Sequence, residues 1–341
     1  MKFKKSRGII LLIVALLLIT FPMMVRNDYY IQTAIMIAFY AYMASCWNIL
    51  GGLAGQISFG HSLYAGIGAY ASTLLFIYTG VTPWIGMLLG GALAGLIAVL
   101  IGMPTFRLQG TYYTLSTIAF LTVVRILVLA NSTIFGLDTR GAQGMIIPMA
   151  GGGNSPANMQ FLTKTPFYYI IIIMTAVVAG ITFYLKNSKT GYYFAAIKTN
   201  QDAASALGVN VNRYKLICAF ISAFLTALGG TFYAQLAMYV DPSTLLGNEM
   251  GQQIGIIAIV GGRGTILGPI IGSLVLVPLQ EIGRAIFGGE VQGFHLVLYG
   301  LIMMIIVLFL PDGLVSLFRK IKKWNKTRKA NANRLGAGSE Q

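Results

Sequence analysis

The chain has few charged residues and very few cysteines and histidines. Only 10% of its 341 residues are charged and 56% are apolar, which excludes an ordinary soluble domain and is typical of a polytopic membrane protein. Both cysteines, Cys46 and Cys218, lie in apolar runs, so we expect neither a disulfide framework nor a thiolate metal site. The two histidines, His61 and His295, have no cluster of acids beside them, so we expect no metal ligands.

Motifs for ATP binding and for catalysis are also missing. No G-x-x-x-x-G-K-[ST] occurs, so ATP would have to be used by a separate chain, and we expect no cofactor here. No carboxylate pair or nucleophile–base set indicates an enzyme. A stand-alone secondary transporter would need buried acids to relay protons or bind sodium. The chain has nine acids in all, which counts against that alternative.

The net charge of +15 comes from basic residues at the ends and in a few loops. On a soluble surface it would suggest nucleic acid, but here it orients the chain in a bilayer, and we expect no nucleic-acid partner. The basic start, 2–7, precedes an apolar run without a small-x-small cleavage site, which predicts an uncleaved first helix. Residues 319–341 form a basic tail that we place at the anionic lipid of the inner leaflet.

Apolar runs of about 20 residues predict an all-α membrane protein with about ten transmembrane helices. Residues 1–318 would form this domain. The predicted spans are 9–25, 31–50, 63–80, 84–103, 111–130, 167–185, 214–236, 250–262, 266–284 and 294–310.

The basic residues predict the orientation of these spans. With a cytoplasmic N-terminus, nineteen of the twenty-four lysines and arginines fall on the inner side, as the positive-inside rule requires. Both termini and the loop 186–215 would then be cytoplasmic, and the loop 131–166 would lie outside.

Two glycine-rich stretches interrupt the apolar runs and predict broken helices. Irregular backbone at membrane depth is tolerated only where protein or an aqueous cavity covers it. The first stretch, 51–70, could line a transport route or could simply hold the break in place. The second, 259–276, could equally be a tight interhelical turn. The candidate residues are Gly55, Gln56, Ser58, Gly60 and His61 in the first, and Gly261, Gly262, Gly264 and Thr265 in the second.

The polar interval 186–215 contains the strongest helix signals between the apolar blocks. Asn200 is a predicted N-cap, Asp202 lies in the first turn, and Gly208 follows the helix end. The helix between them, 201–207, would place Gln201, Asp202 and Ser205 on one face. Its other face would carry Ala203, Ala204, Ala206 and Leu207. So short a helix is unstable alone, which suggests docking, either to another protein or back onto its own bundle.

Several of these stretches resemble the branched-chain amino acid permease family of bacterial ABC importers. The matching sequences are G-G-L-A-G-Q-I-S-F-G-H from Gly51, R-L-Q-G-T-Y-Y-T-L from Arg107, G-A-Q-G-M-I-I-P from Gly141, A-A-I-K-T-N-Q-D-A-A-S-A-L-G from Ala195, and G-G-R-G-T-I-L-G-P-I-I-G from Gly261. In the last, Thr265 stands where serine is commoner.

The resemblance implies a type II ABC importer permease fold and a role in ATP-driven uptake of leucine, isoleucine or valine. It implies four kinds of partner: a second permease subunit of the same family, two cytoplasmic ABC ATPase subunits, an external substrate-binding protein and membrane lipid. The loop 186–215 would be the coupling loop to the ATPase, and 131–166 would receive the binding protein. A sibling permease for urea or another small amide stays open, because these motifs concern architecture more than substrate.

Overall fold

A computed structural model describes residues 17–25, 27–134, 136–149 and 154–287, together with isolated positions between 297 and 316. The described chain is a bundle of helices. Their bounds are α1 Asp28–Trp47, continued by a π-helix Asn48–Leu53, α2 His61–Thr79, α3 Pro83–Thr105, α4 Thr111–Ala130, α5 Thr165–Asn187, α6 Lys189–Thr199, α7 Gln201–Ala206, α8 Val211–Ala237, α9 Pro242–Leu245, α10 Asn248–Gly262 and α11 Gly268–Phe287.

The predicted spans from the second to the ninth each correspond to one long helix of the bundle, within a few residues at either end. The first half of the first predicted span and most of the tenth lie outside the described residues, so the count of ten is not confirmed. In the described part, five helices are long and apolar enough to cross a membrane. Helix α1 with its π-helix meets that standard, whereas α10, with 15 residues, is too short.

Close contacts between α2 and α8 form the centre of the bundle. A Cβ on Gly230 would lie 1.9 Å from the carbonyl oxygen of Ala65, and one on Gly68 would lie 2.2 Å from that of Ala227. The Thr231 hydroxyl donates to the carbonyl of Gly68 at 3.0 Å. Small residues thus allow the two backbones to touch, as expected for helix packing in a membrane.

The helices α4, α5 and α8 run between two ends of the bundle that differ in structure. We call the end that carries residues 186–215 the loop end. The opposite end carries 131–166, whose described residues form short strands and 3₁₀ turns. The strands are β1 Thr133–Ile134, β2 Leu137–Asp138 and β3 Met145–Ile146, and β3 pairs with β4, Tyr239–Val240.

Candidate functional site at the loop end

The first predicted break is present and lies inside the bundle. Helix α1 does not stop at residue 50 but changes into the π-helix that ends at Leu53, and α2 begins only at His61. Between them the backbone is irregular, and Gly55 adopts a left-handed conformation with φ +76°. Gln56 and Ser58 are buried. Protein therefore covers this break, as irregular backbone within a membrane requires.

Helix α4 holds the polar backbone of the first break. The Thr114 hydroxyl donates to the carbonyl of Ile57 at 2.9 Å, and Thr117 Oγ1 accepts from the amide of Phe59 at 3.2 Å. A Cβ on Gly60 would lie 2.7 Å from the carbonyl oxygen of Thr117. Glycine at 60 therefore permits the approach of α4.

His61 and Ser58 are tied to the interior of the bundle. Ser222 Oγ donates to the carbonyl of Cys46 at 2.7 Å and lies 2.9 Å from Nε2 of the fully buried His61, from which it can therefore accept. The indole of Trp47 donates to the carbonyl of Ser58. These contacts indicate that His61 and Ser58 help to hold the first break in its observed conformation.

The second predicted break also occurs, and a side chain joins it to the first. Helix α10 ends at Gly262, and Gly264 has φ +76°. The Asn48 side chain accepts from the amide of Gly264 at 2.7 Å and donates to the carbonyl of Thr265 at 2.9 Å. Thr265 in turn bonds the carbonyl of Gly262 and the amide of Gly268, while a Cβ on Gly261 would lie 1.9 Å from the carbonyl oxygen of Gly268.

Two lysines of the 186–215 interval bind carbonyl groups at the breaks. Lys198 Nζ donates to Gly52 O at 2.8 Å, and Lys186 Nζ donates to Gly264 O at 2.9 Å. The pKa of Lys198 is lowered, chiefly by the partial burial of a side chain that remains exposed on one side and further by the charges of Arg263 and Lys186. We call these five residues, Asn48, Gly52, Lys186, Lys198 and Gly264, the junction.

Sequence reasoning missed the polar members of the junction. Asn48 lies near the end of a predicted span. A side-chain amide at that place in an apolar run could have indicated a polar contact. Lys186 and Lys198 were counted only as inner-side charges, and their partners lie 78 and 146 residues away in the chain.

The predicted caps of the short helix are confirmed. Asn200 Oδ1 accepts from the amides of Asp202 and Ala203, each at 3.0 Å, and Asp202 lies in the first turn. Gly208 has φ +85°. The helix ends one residue earlier than predicted, at Ala206, so Leu207 is its C-cap.

The predicted separation of two faces on this helix is wrong in part. Ala204 is buried in the chain, whereas Leu207 is 85% exposed and Ala203 is exposed as well. On the polar side, Gln201 Oε1 accepts from Lys215 Nζ at 2.7 Å. The buried ammonium of Lys215 needs an acceptor, so it draws Gln201 towards the bundle and Ala204 packs beside it.

A cavity of about 650 Å³ separates the first break from the short helix and is lined by residues of both. Gly55 and Gln56 line one side, and Asn200 and Asp202 line the other. The structure therefore brings these two predicted groups together. Ser58, Gly60 and His61 are absent from the lining of this cavity.

Comparison with known proteins agrees with this architecture. The family described as branched-chain amino acid transport system / permease component matches residues 29–307. The chain belongs to this family. It is thus a multi-pass membrane transport component, as the sequence motifs predicted.

Individual relatives give the same result. The chain is 28% identical over 334 residues to the high-affinity branched-chain amino acid transport system permease protein LivM of Escherichia coli (strain K12), covering 91% of this chain and 75% of LivM. It is 23% identical to LivH of the same strain, covering 81% of this chain and 91% of LivH. The nucleoside ABC transporter permease protein NupC of Lactococcus lactis is 25% identical, covering 67% of this chain and 72% of NupC. No solved structure matches significantly.

Proposed function

We propose that the chain is a transmembrane permease subunit of an ATP-driven importer for leucine, isoleucine or valine. Its membership of the permease family and its similarity to LivM and LivH support this assignment. Since LivM and LivH are both permease proteins and both match, the expected partner in the membrane is a second permease subunit of the same family. Two cytoplasmic ATPase subunits and an external substrate-binding protein complete the importer.

In the membrane, the proposed arrangement has ten spans, with both termini and the loop end in the cytoplasm of a bacterial inner membrane. The lysines and arginines concentrated on that side support it. A cysteine probe at the exposed Thr199 should react only after the membrane is permeabilised. Reaction from outside intact cells would reverse the orientation.

The exposure of Leu207 is the main support for our proposal that the loop end docks to the ATPase. This side chain is 85% exposed at the end of the short helix, although a neighbour on the same helix, Ala204, is buried. A leucine this exposed on a cytoplasmic helix is suited to a hydrophobic groove on another protein. We assign that groove to the ATPase, with Ala203 beside Leu207 in the contact and Asn200, Asp202 and Gly208 fixing the helix.

Substitution of the two exposed positions tests this docking. Leu207→Glu should leave the permease folded, because the side chain is exposed in the chain itself, but should abolish co-purification of the ATPase and ATP-dependent uptake. A charge buried without a partner in the groove costs at least several kcal/mol. Ser205→Glu, also exposed, is the matched control and should retain both properties. Equal tolerance of the two changes at equal expression would contradict docking through Leu207.

The substrate is tested with the reconstituted complex and its binding protein. We expect uptake of labelled leucine that depends on ATP and on the binding protein. Uptake of urea and not leucine would favour the sibling amide permease. Uptake of a nucleoside alone would favour a nucleoside permease, the activity that the name of NupC gives. Uptake independent of any binding protein would favour a stand-alone transporter.

At the substrate side of the subunit, we propose that Gly55 and Gln56 border the exit of the route, because they line the cavity at the loop end. The glycines of the second break and Thr265 would then shape the adjoining turn. The loop 131–166 at the opposite end would receive the binding protein.

A further inference from the structure

Lys198 lies where three glycine positions converge. A Cβ on Gly55 would be 2.9 Å from Cγ of Lys198, and one on Gly264 would be 3.0 Å from its Nζ. A Cβ on Gly52 would be 2.6 Å from the amide nitrogen of Gly264. The aliphatic part of Lys198 thus lies against the first break, and its ammonium reaches between the two breaks. Side chains on these glycines would close this passage.

The position of Lys198 in the chain connects this contact to the short helix. It is in the last turn of α6, and Asn200, the N-cap of α7, follows two residues later. The amide of Asn200 donates to the carbonyl of Ala196 at 3.1 Å, so the link between the two helices is itself hydrogen-bonded. A displacement of α7 therefore also displaces Lys198.

The other lysines near the breaks have different connections. Lys186 belongs to α5, one of the helices long enough to span the membrane, so its bond to Gly264 joins two parts of the bundle. Lys215 belongs to α8 and bonds Gln201 and the carbonyl of Phe106. Of these three, Lys198 is the lysine that joins the helix pair α6 and α7 to the first break.

We propose that Lys198 transmits displacement of the short helix to the first break, and is a positioning residue for transport. The inference rests on the proposed function, in which the ATPase moves α7. When α7 moves, the bond from Lys198 to Gly52 draws the π-helix with it, and the cavity beside Gln56 changes shape. Loss of the bond leaves ATP hydrolysis intact but separates it from uptake.

The test compares Lys198→Met with the wild-type complex in proteoliposomes. Methionine keeps an apolar chain against Gly55 but cannot donate to Gly52. We expect normal accumulation, normal ATPase co-purification and normal ATP hydrolysis, with uptake per ATP lower by about fivefold. This is the effect of about 1 kcal/mol, the typical contribution of one hydrogen bond. Lys198→Arg, which keeps a charged donor, should recover most of the ratio.

Lys189→Met is the matched control, because Lys189, like Lys198, is an exposed lysine of α6 and lies at the other end of that helix. It should leave the ratio unchanged. An unchanged ratio in Lys198→Met, or an equal fall in Lys189→Met, would overturn the proposal. So would loss of the ATPase from a Lys198→Met protein that accumulates normally, because Lys198 would then belong to the docking surface. If Lys198→Met does not accumulate, Lys198→Leu, which also cannot donate to Gly52, is judged by the same criteria.

The wild-type complex separates this result from the proposed function. A wild-type permease that binds no ATPase, or takes up no leucine with ATP, would contradict the proposed function itself. A wild type that does both, with a Lys198→Met variant of unchanged ratio, would contradict the role of Lys198 alone.

Discussion

Both ends of the bundle have side-chain bonds to carbonyl groups, as Trp84 Nε1 makes to Pro156 at the opposite end, but backbone pairing between distant segments distinguishes the opposite end. At the opposite end, backbone pairs with backbone: Met145 is opposite Val240, and the amide of Ile147 donates to the carbonyl of Met238 at 3.1 Å. At the loop end, the breaks are joined by single side chains that reach carbonyl groups, as Lys198 and Asn48 do.

This difference indicates which end is suited to movement. Paired strands lose several bonds together when they separate, whereas a side chain exchanges one carbonyl for water at small net cost. We infer that the opposite end is a frame and that the loop end changes shape.

The largest effect on stability is expected where α2 and α8, which lie between the two ends, touch. In Gly230→Ala the new methyl group would meet the Ala65 carbonyl at 1.9 Å, so the helices must separate. We expect a loss of at least about 3 kcal/mol and poor accumulation. Gly180→Ala is the control, because nothing lies within 4 Å of a Cβ there. Equal melting temperatures for the two purified variants would refute this packing.

A substitution in the frame should lower the stability of the protein without changing how ATP hydrolysis is coupled to uptake. Gly144 has φ +68°, and its Cβ would lie 2.6 Å from the carbonyl oxygen of Val240. Gly144→Ala should therefore destabilise the protein by about 2 kcal/mol, measured as a lower melting temperature in detergent. Uptake per ATP should stay at the wild-type value in the molecules that remain folded. A fall in that ratio would break the distinction between the ends.

A smaller effect, on docking, is expected from Lys215→Met at the loop end. Lys215 is buried and orients Gln201 of the short helix, and methionine can fill its space against Phe106. With the short helix less firmly held, the affinity for the ATPase should fall by about fivefold, or about 1 kcal/mol. Titration of the ATPase onto the immobilised permease measures this. Unchanged affinity would show that Lys215 does not position the helix.

Features set by near neighbours in the chain were predictable from the sequence. Asn200 caps a helix that starts at the next residue, and Gly208 follows its end, so composition and spacing identify both. The two breaks were predictable too, because clustered glycines and polar side chains interrupt an apolar run at each of them. The approximate bounds of the long helices were predictable from the lengths of the apolar runs.

Contacts between distant parts of the chain were not predictable. The bond from Lys198 to Gly52 depends on how α6 folds back against α1, and helical periodicity does not contain that information. The same limit explains why the predicted faces of the short helix were wrong in part. A helical wheel places Gln201 in solvent, but Lys215 in another helix supplies a buried donor that reverses its orientation.

A reversible cross-link between the first break and α6 tests the central claim most directly. The Cβ position of Gly55 lies 3.3 Å from Cβ of Lys198, close to the spacing of about 3.5–4.5 Å in disulfides. The native Cys46 and Cys218 are buried and should not compete. In the Gly55→Cys/Lys198→Cys variant, whose left-handed position 55 strains any side chain, the reduced complex should hydrolyse ATP with little uptake, and oxidation should raise uptake per ATP above that of the reduced form. A cross-link that forms and leaves this ratio unchanged would contradict the account.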